Sequence, residues 1–234
     1  MRKINHGRYS ITKPCRVVMK SPIYHWDFSL RFIATVAALT LINALLLPWQ
    51  TSIDLMQEGG LIENATIVDY YIAVAVLWLY TPPQLPRLSR IAISILLLAC
   101  AARELDLHKA MFGMSILKIN FYRYFATGPQ IGVALLVISL LLFAVAYLLF
   151  QHGRWLQEGI RTRQPTAITV MSMVMLLIFL KILDRSLGIA KELGGYAAPL
   201  FLMAIEQSLE EVLEMVLPLL VVIAIVQAWS NHEN

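Results

Sequence analysis

Apolar residues in this chain come in runs of roughly twenty separated by short polar connectors, the length a helix needs to cross about 30 Å of hydrocarbon. Phe28 to Pro48 is the first run, with Arg31 near its start and Pro48-Trp49 at its far end. The connector Gln50 to Asp69 holds Asp54, Glu58, Glu63 and Asp69 and no lysine or arginine. A second, short run spans Tyr70 to Tyr80 and stops at Pro82, Pro83 and Pro86, since proline cannot continue a helix. The third opens at Ile91 and is purely apolar only to Ala102, about 18 Å of helix. It must therefore continue through Arg103, Glu104, Asp106 and His108, or the membrane must thin there.

Met111 to Gly128 breaks the pattern. Phe112, Phe121, Tyr122, Tyr124 and Phe125 interleave with Lys118 and Arg123, which reads as an interfacial or re-entrant aromatic segment on the outer side. Gly128-Pro129 opens a clean fourth run to Phe150, because proline suits the first helical turn. Pro165 opens a fifth, which ends at Lys181, Asp184 and Arg185, and Met203 to Trp229 forms the last. The pattern predicts an all-α polytopic membrane bundle of about six transmembrane helices. Its divisions are a basic cytosolic tail (1–27), a membrane domain (28–230) and a cytosolic C-terminus (231–234).

Composition agrees and excludes a soluble domain. Hydrophobic residues make up 59% of the chain and charged ones 15%, with a mean hydropathy of +0.68, whereas soluble domains are roughly 45–50% apolar. The net charge is +4, and Arg2, Lys3, Arg8, Lys13, Arg16 and Lys20 crowd the first residues. Beside a span, such a tail marks the cytosolic side. With Arg87, Arg90, Arg154, Arg161 and Arg163 in alternate connectors, it gives a bacterial inner-membrane orientation with both termini inside. The expected partners are the lipid bilayer and, through the flat apolar second and fourth spans, other membrane subunits or a second copy. Nucleic acid is not expected. Cys15 and Cys100 lie too far apart in this topology for a disulfide framework.

The informative residues are charges at span ends. Read with a helical period, Gln207, Glu210, Glu211 and Glu214 share one face of the last run. Counting from the cytosolic ends puts Arg103 about 18 Å deep, Lys181 about 21 Å and Glu214 about 20 Å. The expectation is a charged layer in the outer half of the membrane: Arg103, Arg123, Lys181 and Arg185 against Glu104, Asp106, Asp184, Glu206, Glu210, Glu211 and Glu214, with His108 among them. A charge at that depth costs at least about 2.5 kcal/mol, so these groups should turn inward and pair between the third, fifth and sixth spans. Pro218 lacks the N–H that would bond the Glu214 carbonyl, and so predicts a helix kink beside that layer.

Candidate chemistry is sparse. His108 with Glu210 and Glu214 is a carboxylate-rich, one-histidine set suited to Mn, Fe or Mg. Haem ligation would need histidines at two depths within spans, and no phosphate loop or dinucleotide fingerprint occurs in a usable context, so no cofactor is expected. Three functions fit the residues. One is a small transporter, or an accessory subunit of a membrane complex, handling a proton or cation. Another is a membrane-embedded hydrolase or transferase on a lipid-linked substrate, with Glu210 or Glu211 and His108 as acid and base. The third is a non-catalytic structural helper.

Overall fold

The computed structural model describes residues 21–57, 59–80, 85–114, 116, 119–195 and 197–230, without the side chains of His108 and Ser230. The basic tail over residues 1–20, Pro82, Pro83, Lys118 and residues 231–234 lie outside the described residues. Within them there is no strand, and the chain is all helix and connector.

A single 3-10 turn, Pro22–Tyr24, leads into α1 (Phe28–Leu46). There follow α2 (Trp49–Leu55), α3 (Leu61–Leu79), α4 (Arg87–Glu104) and α5 (Leu107–Phe112). After a π-helical turn, Phe121–Phe125, come α6 (Gly128–Arg161), α7 (Pro165–Gly194) and α8 (Leu200–Ser230). By length and composition five of these, α1, α3, α6, α7 and α8, are able to cross a membrane. The chain is accordingly a multi-pass membrane protein.

Three expectations change. Five helices rather than six meet the length and composition of a span. The third predicted span is α4, which has 18 residues, about 27 Å, but carries Arg87, Arg90, Arg103 and Glu104. It does not run on through Asp106 and His108: the chain turns at Leu105-Asp106, where Asp106 adopts a left-handed φ of 47°. The second predicted span is longer than its apolar run, because α3 starts at Leu61 and takes Glu63, Asn64 and Asp69 into its first turns. In the aromatic stretch, the described residues form only the short α5 and one π-helical turn. Phe121 is fully buried there, edge-on to Phe112 and Tyr122, while Tyr124 and Phe125 are exposed.

The start of α6 follows its sequence signal. The Thr127 backbone N–H donates to the Gln130 side chain at 2.9 Å and proline, which has no N–H to leave unpaired, follows in the first turn. At 34 and 30 residues, α6 and α7 are about 51 and 45 Å long, each longer than a 30 Å hydrocarbon layer, with its charged residues gathered toward its C-terminal end.

The bundle is built around α8, which packs against α7, α3, α1 and α2; α4 packs against α3 and α6, and α6 against α7. Half of the most apolar stretch of α8 is buried inside the protein, against 11% of that of α6. One core joins Tyr70, Ala73 and Leu77 of α3 to Leu97 and Ala101 of α4 and to Val221 and Ile225 of α8. The other joins Leu176 and Leu180 of α7 to Leu213, Val216, Leu217 and Leu220 of α8, with Phe32 and Val36 of α1 against it. The acidic face of α8 is therefore carried by the most enclosed helix of the molecule. Pro218 sits fully buried inside that helix, one turn beyond Glu214.

Candidate functional site

Arg103, in the last turn of α4, reaches two carboxylates. Its guanidinium lies 2.9 Å from Oε1 of Glu104, the neighbouring residue, and also bonds Oε1 of Glu214 on α8. Adjacent residues on a helix ordinarily point apart, and this pair meets at the helix end, where Glu104 is the last residue of α4. Both glutamate side chains are 9% exposed, whereas that of Arg103 is 49% exposed. Tyr70 of α3, itself 2% exposed, and Cys100 of α4 lie beside the cluster. Arg103 and Glu214, matched in depth by counting, thus touch across α4 and α8.

Glu104 also lines a cleft of about 330 Å³ together with Gly59, Glu63, Asn64, Ile67, Leu105 and Asp106. The α2–α3 turn forms one wall and the α4–α5 turn the other. The first wall is pinned by its own side chains. Glu63 accepts from the Gly59 N–H, and the Asn64 amide donates to the carbonyls of Gly59 (3.1 Å) and Gly60 (2.7 Å). The Asn64-Ala65-Thr66 sequon thus falls inside α3, with Thr66 buried and its hydroxyl on the Ile62 carbonyl. On the second wall Asp106 pairs with Lys109 at 2.6 Å.

Several other residues of the predicted layer find partners of their own. Lys181 pairs with Asp184 one turn along its own helix, both exposed, instead of crossing to α8. Arg185 is exposed. Arg123 is also exposed and lies over the Tyr124 ring at 5.2 Å. Glu206 accepts from the Ser186 hydroxyl at 3.5 Å. Glu210 faces the carboxylates of Asp184, Glu206, Glu211 and Glu214. Gln207, placed on the acidic face by periodicity, donates to the Met56 carbonyl at 2.8 Å and so anchors the end of α2. The side chain of His108 lies outside the described residues. Among those described, no group of three or more His, Cys, Asp or Glu is arranged to hold a metal ion.

Sequence reasoning missed Tyr70 and Glu63, read as the edge and the outside of a span, because the polar residues of the first turns of α3 masked the helix. It also missed a second polar knot at the opposite end of α8. There the buried Gln227 accepts from the Thr169 hydroxyl at 2.8 Å and donates to the Ile23 carbonyl at 2.8 Å. A lone amide in an otherwise apolar run was the available signal. No known family, curated protein or solved structure matches this chain.

Proposed function

We propose that the chain is a small transporter, or the proton- or cation-handling subunit of a membrane complex, working through Arg103, Glu104 and Glu214. The supporting observation is that one guanidinium serves two nearly buried carboxylates, one of them on the central helix. Three charges then leave one negative charge uncompensated. Where the dielectric is low, a single proton or a small cation is the simplest complement. The cleft over Glu104 supplies a route for that ion from the end of the bundle where α3 begins and α4 ends. Pro218 supports the same role, since it leaves the Glu214 carbonyl without its helical donor next to the carboxylates.

In this reading α4 serves as a sixth span, its four charges placed at its two ends or turned into the bundle, and the α5 to Phe125 region rests at the outer headgroups. Both termini are cytosolic and the membrane is a bacterial inner membrane, by the arginine bias of the connectors. Purified protein in liposomes enclosing a pH-sensitive dye tests the function. An imposed pH or cation gradient should produce a flux in the wild type, which Glu214→Gln and Glu104→Gln each reduce by about a hundredfold or more, the scale on which a positioned proton-transfer group acts. Equal flux in all three proteins would remove these carboxylates from the mechanism.

A further inference from the structure

We infer that the lipid-facing flank of α1 holds one anionic phospholipid. Between the 3-10 turn and the first turns of α1 lies a trough of about 460 Å³, with His25, Asp27 and Arg31 at its polar end and Phe28, Phe32 and Thr35 along its length. The two phenylalanine rings stack nearly parallel, 6.3 Å apart and tilted by 9°, and form a smooth apolar wall. The trough therefore runs from a polar end to an apolar wall, the order of polarity from a phospholipid's headgroup to its acyl chains.

The polar end favours a phosphate. Arg31 has a 73% exposed side chain and commits one terminal nitrogen to Oδ2 of Asp27 at 2.5 Å. A guanidinium carries five N–H donors, so Arg31 keeps a fork for phosphate oxygens. His25 bonds the other oxygen of Asp27, with its side chain 57% exposed. The surroundings at this end of the bundle are basic. Arg163 lies over the Trp26 ring at 4.9 Å, and Arg154 and Arg161 are exposed on the C-terminal end of α6 against the single Glu158. A choline headgroup would bring a cation into that field, whereas an anionic headgroup meets it. Free phosphate would leave the phenylalanine wall bare, so the occupant is a lipid.

Native mass spectrometry of the full chain in neutral detergent, titrated with phosphatidylglycerol or phosphatidylcholine, tests the site. Wild type should bind phosphatidylglycerol about fivefold more tightly, the worth of one well-placed arginine at an anionic surface. Arg31→Gln should abolish that preference. Asp27→Asn, which frees the Arg31 fork and removes a repelling charge, should strengthen it. Phe32→Ala should weaken both lipids alike, and Arg154→Gln, the same charge loss at the same end, should lower the preference far less than Arg31→Gln does. Since Arg31 is exposed, its variant should keep the wild-type unfolding midpoint. The inference is overturned if wild type shows no preference, if Asp27→Asn weakens binding, or if Arg154→Gln loses as much as Arg31→Gln. It is equally overturned if millimolar inorganic phosphate displaces the lipid.

Discussion

Arg103 is the residue on which two others depend, and this makes the effects of substitution unequal. Removing it leaves Glu104 and Glu214 facing each other with no counter-charge, a loss of about 3 kcal/mol if both stay ionised. Removing Glu214 leaves Arg103 still paired with Glu104, and the half-exposed guanidinium tolerates that for under about 1 kcal/mol. Arg103→Gln should therefore lower stability in detergent strongly and Glu214→Gln hardly at all, read from thermal or denaturant unfolding. Equal losses would mean that the pair acts only as a tether between α4 and α8. The contact itself was half legible in the sequence. Helical counting placed both groups at one depth, but the same counting paired Lys181 with α8, and that lysine instead takes Asp184, one turn away on its own exposed helix face. Depth is fixed by sequence; the direction in which a flexible side chain turns is not.

At the level of elements, α8 holds the bundle together at both ends with side chains that interrupt its apolar surface. Gln207 holds the end of α2, and Gln227 ties the 3-10 turn and α7 to the far end. Gln227→Leu keeps the volume but strands the Thr169 hydroxyl and the Ile23 carbonyl, so unfolding should become easier by about 1–3 kcal/mol. An unchanged midpoint in thermal unfolding would show that water replaces the amide. Apolar runs located α1, α6, α7 and α8 because each is long enough to exceed every alternative to a span. They underestimated α3 because its first turns line a polar cleft, and they left the far end of α4 open because a left-handed residue, Asp106, turns the chain without proline or glycine.

For the whole molecule, the proposed topology puts the C-terminal ends of α6 and α7 on opposite sides of the membrane. Single cysteines at Gln157 and Glu192, both exposed, should be labelled by an impermeant maleimide from opposite sides, with Gln157 on the side of the termini; labelling from one side would refute the orientation. In the proposed mechanism the two carboxylates on Arg103 exchange a proton at the end of the cleft lined by Glu104. Infrared difference spectroscopy on acidification of the membrane-embedded protein addresses it directly. Wild type should gain a protonated-carboxyl band that is lost or displaced in both Glu214→Gln and Glu104→Gln and retained in Glu192→Gln. Indistinguishable spectra for wild type and the two cluster variants would contradict it.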